Sequence, residues 1–302
     1  MSFGKTISNI RKSKHLSIDQ VTSSTITKSS YSRFIEGKTQ PSVNNFLTIL
    51  DNLHVNFEEF LFIERGFCPN FFNKVNTEIH LASIKQDIHK LEDLKHTLQV
   101  YHQEDPNTTE YYHLECVVTL ILNNLKGQEY DPTSKKVIYN YLMSCDLWTH
   151  YEHTLFKNTI FIFNVDTVKA MEKSIIKNLD NYQLFHEYGN ESFRTMAIML
   201  GFYIHNKDLM AAIRIITKLT NVHLEPSMVF EKNVYQLCTG IVFMLSNQKN
   251  GFEKIKTALK VFEFTDAKEY LYASITYLKQ ISNIYNFHHP KLDEIFNDFT
   301  CK

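Results

Sequence analysis

Five short amphipathic blocks follow one another between Gly4 and Phe62: Lys5–Lys14, Ser17–Ser23, Thr27–Glu36, Ser42–Leu53 and Phe57–Phe62. Each reads as a helix, because its apolar residues recur at three- and four-residue steps. Their starts are marked by caps. Ser17 as N-cap with Gln20 at the third helical position forms a capping box, flanked by Leu16 and Val21 as a hydrophobic staple. Thr27 caps the third block, and Ser42, just after Pro41, caps the fourth. The apolar set Ile7, Ile10, Leu16, Val21, Ile26, Tyr31, Phe34, Phe46, Leu47, Leu50, Leu53, Val55, Phe57 and Phe60 suffices for a small core of five helices. The third block is rich in hydroxyls and carries Lys28 and Arg33 at the two ends of its exposed face.

From about Asn73 the pattern changes to long helices in an unbroken row. Ile79–Val100 carries Leu81, Ile84, Ile88, Leu91, Leu94 and Leu98 at a 3.6-residue period and predicts a single helix. Further helices are predicted at about 109–125, 134–145, 147–162, 165–184, 191–205, 208–220, 228–247, 251–262, 265–285 and 290–299. Paired helices of this length, joined by short polar connections, predict an α-solenoid. The period lies near that of tetratricopeptide repeats. The best unit runs from Phe193 to Leu219, with Leu200, Gly201, Tyr203 and Ala212 near the expected positions. The expected fold class is all-α: a five-helix domain at residues 1–66, then a tetratricopeptide-like body at 67–302.

Composition agrees with this architecture. Eight Gly and six Pro in 302 residues suit long helices better than a β fold with many tight turns. The net charge of −1 hides an asymmetry, since residues 1–40 hold seven Lys and Arg against two acids, leaving −6 on the remainder. A basic end on a mildly acidic body suits phosphate contact at that end, although a solvated charged face has the same composition. The five cysteines are scattered with no C-x-x-C, and three lie within apolar helical patterns as expected for buried thiols. No signal-peptide pattern opens the chain, and no apolar run nears the roughly 20 residues that span a bilayer. The expectation is a cytoplasmic protein without membrane contact.

The string Leu16-Ser17-x-x-Gln20-Val21, then Ile26 through Phe34, then Gly37-Lys38-x-x-Pro41 resembles the repressor-type helix-turn-helix family. That resemblance implies double-stranded DNA as partner, with the second helix of the motif in the major groove. By position Lys28, Ser29, Ser30, Ser32 and Arg33 are the expected base readers. Arg11, Lys14, Lys38 and Thr39 are the expected phosphate clamps. Three positions depart from the pattern: Thr25 where the tight turn usually holds Gly, Thr22 in place of a small Ala, and an acid displaced by one residue to Glu36.

The stretch Leu147–Thr159 and the later Gly251–Tyr270 resemble the Rgg family of regulators, so the resemblance covers nearly the whole chain. It implies a homodimer whose helical domain binds a short signalling peptide on its concave face. Only two of five arginines fall after residue 65, Arg194 and Arg214, and an Arg fork can take a carboxylate or a backbone carbonyl. Asn124, Asn158 and Asn206 offer amide clamps, and Tyr151, Phe161 and Tyr203 offer apolar walls. Ion pairing for the arginines and core packing for the aromatics remain open alternatives, and Trp148 reads as a packing residue. Two other classes also stay open: a peptide-independent regulator, and an interaction adaptor with a vestigial DNA-binding domain.

No chemistry beyond recognition is indicated. His150 and His153 share a helix face but have no further ligand nearby, and His288-His289 precedes Pro290 as in a turn. There is no phosphate-binding glycine loop, dinucleotide fingerprint or nucleophile elbow. No enzyme and no cofactor are expected.

Overall fold

The computed structural model describes residues 2–22, 26–182, 189–222, 224 and 226–300, without the side chains of 173, 174, 177–182, 189, 190, 192 and 300. The described residues form two compact units, Met1–Thr77 and Glu78–Lys302.

The first unit contains α1 (Phe3–Ser13), α2 (Ile18–Thr22), α3 (Lys28–Ile35), α4 (Val43–Asn52) and α5 (Phe57–Glu64). The caps form as read. Ser17 N–H donates to Gln20 Oε1 (2.8 Å) and Gln20 N–H to Ser17 Oγ (3.3 Å). Thr27 Oγ1 accepts from Ser30 N–H, and Ser42 Oγ from Asn45 N–H. Ile7, Ile10, Val21, Ile26, Tyr31, Phe34, Phe46, Leu50, Leu53, Val55 and Phe60 form the core, joined by Ile49, and Leu16 packs against it.

Two expected core residues lie elsewhere. Leu47 and Phe57 are 43 % and 47 % exposed. With Phe3, Phe34, Gln40, Pro41, Val43 and Phe46 they line an open recess of about 500 Å³. Helical spacing alone could not separate Leu47 from Leu50, because the apolar stripe of α4 is wider than the face its neighbours cover.

The second unit begins within α6 (Phe71–Lys85) and continues through α7 (Ile88–Glu104), α8 (Thr109–Leu125), α9 (Pro132–Ser144), α10 (His150–Thr159) and a 3₁₀ turn at Ile160–Ile162. It then runs through α11 (Val165–Tyr182), α12 (Gly189–His205), α13 (Leu209–Thr220), α14 (Val229–Leu245), α15 (Gly251–Phe264), α16 (Lys268–Tyr285) and α17 (Pro290–Thr300). The helix expected at Ile79–Val100 is broken. Gln86 adopts φ 53°, and Asp87 Oδ1 accepts from Lys90 N–H at 3.0 Å to cap α7. The apolar period carries through the break in phase, which hides it from a periodicity reading.

The same closing device recurs at Lys207-Asp208, where φ is 61° at Lys207 and Asp208 caps α13. These short, capped connections fold successive helices back on one another. Helices α7 and α8, α8 and α9, α11 and α12, α12 and α13, α14 and α15, and α15 and α16 pack as neighbours. Alternate helices also touch, α8 on α10, α10 on α12 and α12 on α14, so these four make one continuous row. Such a row of alternate helices beside a second layer is the arrangement of a tetratricopeptide-like solenoid. Tyr277 and Tyr285 of α16 donate to the Gly201 and Ile204 carbonyls at 2.9 and 2.8 Å, tying the late helices to α12.

Candidate nucleic-acid interface and helical row

α3 shows how the first unit divides its surface. Tyr31 and Phe34 bury one side of the helix in the core. Lys28, Ser29, Ser30 and Arg33 stand exposed on the other, with Ser32 half-buried between. α3 is seated from beneath by α1 and α2, and α2 also packs on α4. Asn52 Nδ2 donates to the Val21 carbonyl at 2.9 Å and holds the end of α2. Thr22, the departure from a small residue, is buried and donates to the Ile18 carbonyl at 3.0 Å, so its hydroxyl is satisfied within its own helix. Thr25, where the turn should sharpen, lies outside the described residues.

The expected phosphate clamps fall into two groups. Lys38 and Thr39 follow α3 on the surface, Lys38 exposed and Thr39 half-buried, where Gly37 at φ 74° turns the chain. Arg11 and Lys14 also bond within the unit, Arg11 half-buried and Lys14 exposed. Arg11 Nη1 donates to the Leu16 carbonyl at 2.6 Å, and Lys14 Nζ to the Leu53 carbonyl at 2.7 Å. Leu53 caps the end of α4, so the Lys14 cation there also complements the helix dipole. Glu36 sits 2.6 Å from Lys38, and Lys28 sits 2.6 Å from Asp19. The displaced acid therefore pairs locally with Lys38, while Arg11 donates to backbone.

In the second unit most residues read as peptide contacts lie along the row α8–α10–α12, with Phe161 in the 3₁₀ turn after α10 and Arg214 on α13. Asn124 Oδ1 accepts from Tyr130 at 2.9 Å, and the Tyr130 ring packs 5.6 Å from Phe161. Tyr151 places its hydroxyl 2.9 Å from His113 Nδ1. Asn158 is half-buried on the same helix. Asn206, just after α12, returns its amide to the Phe202 carbonyl at 2.9 Å.

Two buried carboxylates organise the charged residues. Glu231 accepts from Arg194 Nε and Nη2 at 3.2 and 3.0 Å. Glu172 accepts from Arg214 Nε and Nη2, from Lys218 Nζ and from the Tyr203 hydroxyl, all within 2.9–3.3 Å. Burial pushes the Glu172 carboxyl up, but its donors outweigh that and hold it below the usual carboxylate range. Tyr203 is fully buried, so it supports Glu172 from behind and forms no surface wall. Arg214 and Lys218 remain 45 % and 37 % exposed. Glu172 was legible in outline, since it interrupts the apolar stripe Val168, Met171 and Ile175 of α11 with an acid. Its partners were not, because they come from helices about 30–45 residues further along the chain.

The Leu147–Thr159 signature is a packing device. Thr149 and Glu152 form a full capping box at the start of α10. Trp148 is buried against His153 and Phe156, with ring centroids 5.6 and 5.4 Å away. His150 Nδ1 lies 3.3 Å from Glu191 Oε2, and Lys157 takes the other oxygen of that carboxylate. Burial raises the Glu191 carboxyl, yet His150 and Lys157 outweigh it and bring it down to about 2. Cys116 is buried, with its thiol pushed up to about 11 by desolvation, while Cys145 and Cys238 are half-buried. Among the described residues no three His, Cys, Asp or Glu side chains are placed to hold a metal ion. No described helix is long and apolar enough to cross a membrane.

The C-terminal-domain model of the HTH-type transcriptional regulator Rgg matches residues 94–276. A candidate transcriptional regulator from Listeria monocytogenes EGD-e superposes with a TM-score of 0.79 at 20% identity, covering 95% of this chain and 99% of its own. The SHP pheromone receptor Rgg2 of Streptococcus dysgalactiae gives 0.73 at 19% identity, covering 92% and 99%. A bacterial peptide pheromone/receptor complex gives 0.67 at 14% identity, covering 93% and 98%.

Proposed function

Because this chain belongs to the Rgg family of HTH-type transcriptional regulators, we propose that it is a homodimeric, sequence-specific DNA-binding protein whose helical unit takes up a short peptide and so changes promoter occupancy. The DNA-reading module is assigned to residues 1–66 and the regulatory and dimerising body to 67–302. The observation that carries the DNA reading is the outward face of α3. Lys28, Ser29, Ser30 and Arg33 are exposed and Ser32 is half-buried, while Tyr31 and Phe34 lock the opposite side into the core. Short hydroxyls accept several bases, and an Arg fork matches the guanine edge.

Arg33→Ala is expected to relax base preference, with about 1–3 kcal/mol of discrimination lost at one position. Lys38→Ala is expected to weaken binding evenly across sequences and to lower the salt slope by about one. Fluorescence anisotropy over a salt series with selected and random duplexes reads both. If both variants titrate like the parent, α3 is not the groove helix. A two-fold dimer also requires half-sites about 34 Å apart, or a multiple of that.

The peptide part is supported by the row α8–α10–α12 and by the pheromone receptors with which the fold is shared. Asn124, Tyr151, Asn158, Phe161, Arg194, Asn206 and Arg214 are its proposed contacts, with Tyr203 acting through Glu172. Synthetic peptides encoded beside the gene, dye-labelled and titrated by fluorescence polarisation, are expected to give saturable binding that Arg214→Ala weakens. Absence of saturable binding by all of them would remove the peptide part and leave the DNA part standing.

A further inference from the structure

The first residue of the proposed reading helix is not presented to solvent alone. Lys28 Nζ lies 2.6 and 2.7 Å from the two Asp19 carboxylate oxygens, so both oxygens share one ammonium. Asp19 belongs to the first turn of α2, and the pair bridges the two helices of the motif. Both side chains are about two-thirds exposed, at 65 % and 66 %. An ion pair so open contributes little to folding, and an exposed acid in the first turn of a helix adds at most about 1 kcal/mol, so stability is a weak reason for a carboxylate held against the first residue of α3.

We infer that Asp19 is a specificity-determining residue, which sets how much the protein prefers its operator over other DNA. The inference rests on the DNA reading of α3. A backbone phosphate that takes Lys28 exchanges one anion for another and leaves the freed Asp19 carboxylate beside it, where like charges repel. Sequence-independent binding consists almost entirely of such phosphate contacts, so it bears this penalty in full. A base edge is different. It offers a neutral acceptor such as guanine O6 or N7, which leaves the Asp19 carboxylate without a new anionic neighbour and adds the hydrogen bond that distinguishes the operator. Asp19 therefore weakens wrong complexes more than right ones, as a repulsive element does in any interface built for selectivity.

The experiment uses the full chain with two 30-bp probes, a random-sequence duplex and a duplex recovered by binding-site selection with the parent protein. Asp19→Asn keeps the size of the side chain and removes its charge. Binding to the random duplex is expected to tighten on the order of 3- to 10-fold at low salt, with the salt slope steeper by about 0.9, equivalent to one more phosphate contact. The selected duplex gains less, so the affinity ratio between the two falls. In a Lys28→Ala background the gain from Asp19→Asn shrinks, which a purely structural role for Asp19 would not produce. An unchanged random-duplex affinity and slope overturns the inference, as does an equal gain on both duplexes. If the parent binds neither duplex, the DNA reading itself falls, an outcome separable from the others because it precedes any variant.

Discussion

Gly4→Ala is expected to destabilise the first unit by about 1–3 kcal/mol and, on the proposed function, to weaken DNA binding with it, although alanine is the better helix former. A Cβ on Gly4 would lie 2.3 Å from the Phe34 carbonyl oxygen and 2.9 Å from Ile35 Cα. Those are backbone atoms at the end of α3, so no flexible side chain can move aside. The helix-propensity gain of Gly→Ala is at most about 1 kcal/mol, and overpacking of this severity exceeds it. Relief requires α1 and α3 to separate, which shifts Arg33 relative to the rest of the module. Gly37→Ala makes the contrast. That residue sits at φ 74° with open space where a Cβ would go, so only backbone strain of about 1–2 kcal/mol applies. Denaturant melts of the full chain, paired with duplex binding, should rank the variants parent, Gly37→Ala, Gly4→Ala. A Gly4→Ala protein as stable as the parent would show that the α1–α3 approach is not tight.

The second large effect is on the acid stability of the helical unit. His153 is 0 % exposed, and neither ring nitrogen has a hydrogen-bond partner among the described residues. Burial lowers its pKa from the ordinary 6.5 to about 4. The unfolded chain therefore binds the proton first as pH falls. The contribution of a neutral His153 is intact above about pH 6.5 and is lost between there and pH 4, about 3 kcal/mol over the window. Glu191 acts in a lower range. Its folded pKa is depressed to about 2 from 4.5, so its contribution is full above 4.5 and declines only as pH drops toward 2. Buried His113 is lowered in the same direction as His153, which makes a comparison with a variant necessary. His153→Phe keeps a ring beside Trp148 and removes two unpartnered nitrogens. Replacing an unsatisfied polar group by an apolar one of similar shape is neutral or stabilising at pH 7. Between pH 6.5 and 4.5 the variant should lose less stability than the parent, by up to one proton's slope of about 1.4 kcal/mol per pH unit. Urea melts at pH 7, 5.5 and 4.5 measure this, and parallel slopes for parent and variant would sink the assignment.

Much of the fold was readable along the chain because its determinants are local. A cap involves residues three apart, so Ser17 with Gln20, Thr27 and Ser42 could be placed before any packing was known, and each forms its bond. Periodicity found the helices for the same reason. It failed where the apolar phase continues across a break, at Gln86-Asp87, and where the apolar stripe is wider than the covering neighbours, at Leu47 and Phe57. The Leu147–Thr159 signature was readable as a resemblance, but its physical content, a capping box and a Trp148–His153–Phe156 cluster, emerged only from the folded unit.

By itself the chain determined its helical class, the order and capping of its helices, the core of the first unit and the exposed cationic face of α3. Those follow from steps of three and four residues, over which a helix is its own context. Tertiary structure decided the partners of the long polar side chains that reach across the fold. Arg11 and Lys14 went to backbone carbonyls, Lys28 to Asp19, Arg194 to Glu231, and Arg214, Lys218 and Tyr203 together to Glu172. A flexible side chain reaches several candidates at similar local cost. Only the fold brings distant carboxylates and carbonyls within about 3 Å, and burial then makes leaving one unpaired expensive.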